Sequence, residues 1–351
     1  MPLPDRQDPT APPRPGEELD LARLEAWLAQ GPVTCSQFPA GHSNLTYLIF
    51  VGGKEYVLRR PPFGTQVKSA HDMGREYRVL SKLHAIYPLA PRPTMYCEDA
   101  GVLGAPFYLM ERLPGIVIRK QLPAALSSSP ESCRRLSHAL VDNLATLHGL
   151  DLEAAGLAGF GKPQGYVRRQ IEGWSKRWID AQTEDVAAMN EAATWLAGHL
   201  PTESGAALIH NDYKLDNVLV DPADPASLTG LLDWEMATVG DPLMDLGTAL
   251  SYWIQSDDPE AFQQLRFSPT IAPGFISRRE YVQRYEAKTG RPVANPVYYY
   301  AYGLFKLAVI LQQIYYRYAH GLTRDERFAS LGAVAKGLGR QACEAIASGL
   351  I

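Results

Sequence analysis

The stretch His210-Asn211-Asp212-Tyr213-Lys214-Leu215-Asp216-Asn217 is followed, sixteen residues after its last member, by Asp233-Trp234-Glu235. In the first segment an aspartate comes two residues after the histidine, and an asparagine comes five residues after that aspartate. The second segment places another carboxylate directly after a short apolar run. Carboxylate and amide oxygens are the hard ligands that Mg²⁺ prefers. The two segments therefore predict a site that holds a divalent cation.

The spacing of the first segment is that of a kinase catalytic loop, in which His, Asp and Asn occur in this order. Phosphoryl transfer needs an acceptor hydroxyl aligned with the γ-phosphate, and metal ions that neutralise the phosphate oxygens. We predict that Asp212 accepts the hydroxyl proton and that Asn217 and Asp233 bind Mg²⁺. His210 is interpreted as a hydrogen-bonded support of the loop, because Asp212 already fills the role of base.

Length and composition indicate a two-domain cytoplasmic protein. A chain of 351 residues exceeds the usual single core. The net charge of −4 argues against a nucleic-acid partner, and four distant cysteines without a CxxC pair argue against a zinc site or a disulfide framework. The N-terminus lacks the apolar core of an export signal, and no uncharged apolar run is long enough for membrane insertion. The oligomeric state is not predicted by the sequence.

The chain is predicted to contain a tail and two lobes, in an α+β fold. Residues 1–16 carry six prolines and are expected to be a disordered tail. Residues 17–111 are expected to form a small β-rich N-lobe, with a hairpin at Gly52-Gly53 and one helix at about 70–86. Residues 112–351 are expected to form a larger, mainly helical C-lobe.

The C-lobe prediction depends on hydrophobic periodicity. Its only predicted strand pair joins residues 217–220 to residues 229–233. Its predicted helices lie at about 131–149, 165–182, 186–199, 241–254, 277–288, 296–319 and 325–347.

Residues 41–47 precede the predicted hairpin and contain a glycine and short polar residues. Backbone N–H groups in such a segment can approach a phosphate. Taken alone the segment would be a plain turn, but its position before a hairpin and a basic residue favours phosphate binding. We predict that Ser43 and Asn44 contact a nucleotide.

That basic residue is Arg59, which strand alternation places on a face where it can reach the phosphates. Glu76 falls within the apolar stripe of the helix predicted at 70–86, and a buried carboxylate needs a partner. We predict that Arg59 is this partner. The alternative is that Glu76 pairs with Arg75 or Arg78 at the edge of the stripe.

The segment after the apolar run 107–110 connects the two predicted lobes. In a two-lobed kinase such a connection offers backbone groups to the adenine edge. Glu111 and Leu113 are therefore predicted nucleotide contacts, although Pro114-Gly115 alone is ordinary loop punctuation.

Several segments occur together in the order found in the aminoglycoside phosphotransferase/choline kinase-like superfamily, which this chain resembles from about residue 17 to residue 320. The resemblance is closest to the kinase-like domain that accompanies some acyl-CoA dehydrogenases, and to its stand-alone bacterial relatives. The segments are GHSNLTY (41–47), YVLRRPP (56–62), REY (75–77), MER (110–112), HNDYKLDN (210–217), DWE (233–235) and GDPLMDL (240–246).

This resemblance implies a bilobal protein-kinase-like fold, ATP or GTP as donor, Mg²⁺ and a small-molecule hydroxyl as acceptor. It implies that Lys214 contacts the γ-phosphate and that Arg59 and Glu76 form the lobe-closing ion pair. Asp245 resembles the buried aspartate that braces the catalytic loop, although a solvated helix start is an alternative. Many relatives have glycine at the position of Asn211, and asparagine tolerates the left-handed backbone region better than most residues.

The acceptor is the least defined part of the prediction. Glu235 could approach a second metal, anchor the loop to an arginine, or contact the substrate. The resemblance implies that C-terminal helices wall the acceptor pocket, which makes Tyr302, Lys306 and Arg317 candidate substrate contacts.

An aminoglycoside is polycationic and should bind in a strongly acidic pocket, whereas the C-terminal half mixes acidic and basic residues. The expected acceptor is therefore a hydroxyacyl compound or its CoA thioester, with an aminoglycoside or amino alcohol as the alternative. A nucleotide-binding pseudokinase that acts as a scaffold stays open. A protein kinase is disfavoured, because the stretch between Asp233 and Asp245 is too short for a long activation loop.

Overall fold

A computed structural model describes residues 8–38, 44–63, 72–123, 129–264, 268–323 and 325–351. The strands are β1 (Thr34–Gln37), β2 (Leu45–Val51), β3 (Lys54–Arg60), β4 (Pro93–Cys97), β5 (Phe107–Glu111), β6 (Ile116–Val117), β7 (Ala207–Ile209), β8 (Val218–Asp221), β9 (Asp224–Leu231) and β10 (Thr238–Gly240). The helices are α1 (Leu21–Leu28), α2 (Met73–Leu83), α3 (Ala100–Leu103), α4 (Pro130–His148), α5 (Tyr166–Asp180), α6 (Ala187–Gly198), α7 (Pro242–Ser251), α8 (Glu260–Gln263), α9 (Arg278–Thr289), α10 (Pro296–Ala319) and α11 (Leu331–Ser348).

The chain divides into two compact units. The first unit comprises Met1–Val117, Ala155–Leu157 and Asn217–Ala237. The second comprises Ile118–Ala154, Ala158–Asp216 and Thr238–Ile351. The first is β-rich and the second is mainly helical, which confirms the predicted fold class.

The first unit contains a five-stranded antiparallel sheet in the order β1-β2-β3-β5-β4. Its β2–β3 hairpin turns at Gly52 and Gly53, with φ angles of 57° and 76°. Positive φ at both central residues is the requirement of the tight hairpin turn that matches strand twist. The hairpin predicted from the Gly-Gly pair is therefore confirmed.

Helix α2 carries the charged residue that matters most in this unit. Asp72 caps its N-terminus by accepting the Arg75 N–H. Its buried face consists of Met73, Gly74, Glu76, Val79, Leu80 and Leu83. The carboxylate of Glu76 thus lies on the apolar face, as the periodicity predicts.

A second sheet, in the order β6-β8-β9, changes the predicted division of the chain. Strand β8 pairs with β6, and the Leu231 N–H donates to the Leu89 carbonyl at 2.7 Å. These hydrogen bonds place Asn217–Ala237 in the first unit rather than in a continuous lobe from residue 112. The sequence pattern identifies the β8–β9 pair but carries no signal of its partner strand.

The described part of the predicted tail, residues 8–16, also differs from expectation. Ala11 and Gln37 exchange two backbone hydrogen bonds, at 2.9 Å and 2.7 Å. The Arg14 N–H donates to the side chain of Gln37 at 2.8 Å. Pairing with the edge strand β1 thus orders residues that composition alone assigns to disorder. Residues 1–7 lie outside the described part of the chain.

In the second unit, helices α7 and α10 cross with their backbones almost in contact. A Cβ atom at Gly247 would lie 2.1 Å from the Tyr299 carbonyl oxygen, and one at Gly303 would lie 2.1 Å from the Gly247 carbonyl oxygen. Only glycine permits this approach. The crossing brings residues of α7 beside the middle of α10, where Lys306 lies.

Strands β7 and β10 form a short antiparallel pair in this unit. The prediction of one strand pair in the C-terminal half is therefore wrong, because three-residue strands are too short to show an alternating pattern. Strand β7 leads directly into His210, and β10 leads into Asp241, which caps α7. Among the helices described, none combines the length and apolar character of a membrane span.

Candidate functional site

Arg59 is the centre of a charged cluster in the first unit. Its guanidinium lies 3.3 Å from Glu76 Oε1, 2.8 Å from Asp233 Oδ1 and 3.7 Å from Glu235 Oε2. The Arg59 and Glu76 side chains are 8% and 1% exposed. The predicted pairing of Arg59 with Glu76 is present, and two further carboxylates share the same cation. The predicted contact of Arg59 and Glu76 with a nucleotide stays a prediction.

The electrostatics of this cluster follow from its burial. Burial alone would lower the pKa of Arg59, but Glu76 and then Asp233 raise it well above its ordinary value. Burial raises the pKa of the Glu76 carboxyl, and Arg59 opposes that effect. The Trp234 N–H also donates to Glu76 Oε1 at 3.1 Å. Arg59 is therefore a permanent cation that ties β3 and α2 to the segment after β9.

Glu235 is held on several sides within this unit. The Asn44 side-chain amide donates to Glu235 Oε2, and Arg75 donates to the Glu235 backbone carbonyl at 3.2 Å. With Arg59 near the same carboxylate, the anchor interpretation of Glu235 fits these contacts better than a substrate contact does. Asn44 is a predicted nucleotide contact, and in the structure its side-chain amide donates to Glu235.

Asn217 and Asp233, the predicted metal ligands, lie on neighbouring backbone segments. The Leu232 N–H donates to the Asn217 carbonyl at 2.7 Å, so the residue before Asp233 is hydrogen-bonded to Asn217. Asp233 has a φ of 66°, a left-handed conformation that is rare outside glycine. An amide and a carboxylate so placed fit a magnesium site, which usually needs only one or two protein ligands beside phosphate and water. No cluster of three or more His, Cys, Asp or Glu suited to a metal occurs among the described residues.

Asp212, the predicted base, belongs to the second unit. Lys214 Nζ lies 2.9 Å from Asp212 Oδ2, and the Tyr252 hydroxyl donates to Asp212 Oδ1 at 3.0 Å. The Lys214 ammonium also lies 4.9 Å from the centre of the Tyr252 ring. Burial raises the pKa of the Tyr252 hydroxyl, and Asp212 raises it further. Tyr252 is therefore a stable hydrogen-bond donor to the carboxylate.

The backbone before Asp212 is fixed by Asp245, which is fully buried. Its carboxylate accepts the N–H groups of His210 and Asn211, both at 2.7 Å. His148 Nε2 lies 3.1 Å from the same carboxylate. Burial alone would raise the pKa of Asp245, but the interactions with His148 and then His210 hold it below its ordinary value. Asp245 thus braces the loop, and the solvated alternative is wrong.

His210 and Asn211 have the conformations that the sequence predicts. His210 is buried, and its Nδ1 accepts the Asp212 N–H at 3.3 Å, as expected of a support. Asn211 has a φ of 65°, and its side-chain oxygen accepts the Tyr166 hydroxyl at 3.3 Å. The left-handed turn that glycine would permit is therefore present with asparagine.

The candidate substrate contacts on α10 need correction. Tyr302 and Lys306 are buried at 0% and 2% exposure, so neither side chain faces an open pocket. Lys306 Nζ instead donates to the Asn211 carbonyl at 2.6 Å. Arg317 is exposed eleven residues further along the helix, about 16 Å from Lys306 along the axis. The aromatic periodicity of α10 reflects core packing.

The remaining predicted nucleotide contacts stay predictions. The Glu111 N–H donates to the Arg92 carbonyl at 2.9 Å, and its side chain accepts the Arg92 N–H at 3.0 Å. Leu113 packs against Gly230 of β9. Ser43 lies outside the described residues.

Sequence reasoning missed Tyr252 and His148, whose side chains contact Asp212 and Asp245. Tyr252 directly follows α7 and His148 ends α4, forty residues after and sixty-four residues before Asp212. A polar residue at the end of an apolar helix is a weak signal, because most such residues are caps or solvated.

The comparisons with known proteins agree with this geometry. Residues 34–279 match the phosphotransferase enzyme family. Mouse acyl-CoA dehydrogenase family member 10 is 34% identical over 307 residues, which cover 87% of this chain and 28% of that protein. The chain thus spans little more than a quarter of this curated relative.

Two solved structures share the fold. A putative aminoglycoside phosphotransferase from Ralstonia eutropha is 32% identical, with a TM-score of 0.78 and coverage of 93% of this chain and 98% of that one. A thermostable variant of aminoglycoside phosphotransferase APH(4)-Ia, solved with AMP-PNP and hygromycin B, is 18% identical with a TM-score of 0.58; the match covers 92% of this chain and 96% of that one. The resemblance inferred from the motifs is therefore confirmed, and the chain belongs to the phosphotransferase enzyme family.

Proposed function

We propose that the protein transfers the γ-phosphate of ATP to a hydroxyl group of a small molecule. As a member of the phosphotransferase family, it is an enzyme whose acceptor is an alcohol group. The observation that carries the proposal is the setting of Asp212, whose carboxylate is held by Lys214 at 2.9 Å and by Tyr252 at 3.0 Å. A base fixed in this way is oriented before the acceptor arrives.

In the proposed step, Asp212 accepts the proton of the acceptor hydroxyl as its oxygen bonds to the γ-phosphorus. The bond from that phosphorus to the bridging oxygen of the nucleotide breaks, and ADP leaves. Lys214, whose Nζ lies 2.9 Å from Asp212 Oδ2, would contact the γ-phosphate. Asn217 and Asp233 would hold Mg²⁺, which neutralises phosphate charge when bound.

ATP as donor is supported by the AMP-PNP complex of the related fold, and GTP is the alternative donor. Arg59 supplies a cation for the phosphates, and it is kept in place by Glu76 at 3.3 Å. Asn44, Glu111 and Leu113, with Ser43, complete the proposed nucleotide contacts. A cytoplasmic location and Mg²⁺ dependence are part of the same proposal.

Cations beside the loop that follows Asp212 are the feature that we take to favour an anionic acceptor. Lys214 lies beside the proposed base, with its Nζ 2.9 Å from Asp212 Oδ2. Burial raises the pKa of the Asp216 carboxyl, and the nearby cations Arg119 and Lys120 oppose that effect. A hydroxyacyl compound or its CoA thioester suits such surroundings better than a polycation does. The similarity to acyl-CoA dehydrogenase family member 10 agrees with an acyl acceptor.

A second candidate acceptor is an aminoglycoside or amino alcohol. The 32% identical structure is a putative aminoglycoside phosphotransferase, which specifically favours this reading. The two candidates differ in charge, so they can be separated by a single assay.

The test is a phosphorylation assay with hydroxyacyl-CoA thioesters, free hydroxy acids, amino alcohols, sugars and aminoglycosides, each with ATP and Mg²⁺. We expect turnover of an anionic hydroxyacyl compound, and turnover of aminoglycosides alone would reject the anionic acceptor. Asp212→Asn should lower kcat by about 10²- to 10⁴-fold, the usual contribution of a positioned base. Nucleotide binding retained without transfer or hydrolysis in the unaltered protein would instead indicate a pseudokinase.

A further inference from the structure

Lys306 is a buried cation in the middle of α10. Its Nζ donates to the Asn211 carbonyl at 2.6 Å and lies 3.4 Å from Thr248 Oγ1 of α7. The ring of Trp174 lies 5.9 Å away. Within the described ranges, no carboxylate forms an ion pair with Lys306. The main hydrogen bond of this ammonium is therefore made to a backbone carbonyl.

The carbonyl that Lys306 binds belongs to the turn before the catalytic aspartate. Asn211 has a φ of 65°, and its N–H is held by Asp245 at 2.7 Å. Lys306 holds the other polar group of the same residue. The backbone of Asn211 is thus fixed from α7 on its N–H side and from α10 on its carbonyl side. Asp212 follows immediately, so the direction of its carboxylate depends on this turn.

We propose that Lys306 is a positioning residue of the transfer reaction, whose ammonium group fixes the Asn211 turn and thereby orients the Asp212 carboxylate. The inference rests on the proposed role of Asp212 as base. This positioning role replaces the substrate contact that the sequence analysis predicts for Lys306, because a side chain that is 2% exposed does not reach an acceptor. We call the hydrogen bond from Lys306 to the Asn211 carbonyl the Lys306 clamp. An ammonium donor forms a stronger hydrogen bond than a neutral amine, so this clamp weakens when Lys306 loses its proton.

This clamp should depend on pH near neutrality. Burial lowers the pKa of Lys306 to about 8; Asp245 of α7 and Asp212 of the loop oppose that effect, whereas Lys214 of the loop and Arg177 of α5 add to it. Below pH 8 the folded protein carries the ammonium, and above pH 8 it increasingly carries the amine. The contribution of Lys306 to kcat should therefore be nearly complete well below pH 8 and be lost as the pH rises through about 8.

The first experiment compares wild type with Lys306→Met, using ATP hydrolysis without acceptor and transfer to whichever acceptor the assay identifies. At pH 7 we expect Lys306→Met to lower kcat by about 10- to 100-fold, the cost of a misdirected catalytic group. KM for ATP and for the acceptor should stay unchanged. The ratio of wild-type to variant kcat should shrink from pH 7 to pH 9.5, because the wild type loses its ammonium over that range.

Two further variants control this comparison. Lys336→Met removes a lysine of α11 that pairs with Glu184 at the surface, and it should leave kcat unchanged at every pH. Lys306→Arg keeps a charge throughout the range and should abolish the decline above pH 8 if it restores activity at pH 7. A kcat ratio that does not vary with pH, or a raised acceptor KM with unchanged kcat, would overturn the proposal.

A stability measurement separates this inference from the proposed function. In the unfolded chain Lys306 titrates near 10.5, so between about pH 8 and pH 10.5 the unfolded state binds more protons than the folded state. The melting temperature of wild type relative to Lys306→Met should therefore rise over that interval. Absence of any transfer with this rise present would reject the proposed function alone. Absence of the rise would reject a titrating Lys306 clamp whether or not the protein is active.

Discussion

The two units hold their critical residues in opposite ways. In the first unit, charged side chains face one another, with one guanidinium shared by Glu76, Asp233 and Glu235. In the second unit, charged side chains hold the backbone, since Asp245 binds two N–H groups and Lys306 binds one carbonyl. Removing a charge in the first unit should therefore leave other buried charges without a partner. Removing a charge in the second unit should instead free the backbone of the turn at Asn211.

The largest effect should come from Arg59→Met. This change leaves Glu76 buried with no cation at 3.3 Å, and loss of one partner of a buried pair typically costs about 3–5 kcal/mol. Denaturant unfolding should show this loss in the free energy of unfolding.

The control for that prediction is Glu76→Gln, which keeps an acceptor for the Trp234 N–H and leaves Arg59 beside Asp233. It should cost less than Arg59→Met, about 1–3 kcal/mol. Combining Glu76→Gln with Arg59→Met should recover part of the Arg59→Met loss. A double variant whose loss equals the sum of the single losses would mean that the two side chains do not interact.

In the second unit, Asp245→Asn should cost about 2 kcal/mol, because an amide cannot accept from the His210 and Asn211 N–H groups and from His148 as the carboxylate does. Its pKa lies below the unfolded value of 3.8, so the stabilisation is complete above that pH and is lost as the pH falls further. Urea titrations at pH 7 and pH 3 measure both the loss and its decrease. Equal differences at the two pH values would contradict an ionised Asp245.

The elements that the sequence predicts well are those with a local cause. The hairpin follows from two glycines, and α10 begins and ends at the predicted residues 296 and 319 because Asn295 caps it and apolar residues continue to its end. Strands β7 and β10 were missed because three residues cannot show a period. The membership of β8 and β9 in the first unit depends on pairing with β6, a contact between residues about a hundred positions apart.

The site shows the same division. Motif spacing predicts the roles of Asp212, Asn217 and Asp233, and amphipathic periodicity predicts the burial of Glu76, which the structure confirms. Neither motif spacing nor periodicity can predict which distant residues contact the loop that contains Asn211 and Asp212. The family resemblance makes Lys306 a candidate pocket residue, yet its Nζ donates to the Asn211 carbonyl, next to the close crossing of α7 and α10 at Gly247 and Gly303. Tyr252 likewise reaches Asp212 only through the placement of α7.

The smallest predicted effect concerns Asn211, and it sharpens the contrast between holding charges and holding a turn. Asn211→Ala keeps the backbone groups that Asp245 and Lys306 bind but must adopt a φ of 65°, which costs a residue with a plain Cβ about 1 kcal/mol. Asn211→Gly adopts that φ without strain and loses only the long bond from the Tyr166 hydroxyl. We expect Ala to lower the free energy of unfolding by about 1 kcal/mol relative to Gly, and the Gly variant to keep wild-type kcat. If Ala and Gly were equally stable, the turn would not be strained, and the two clamps on Asn211 would have no conformation to enforce.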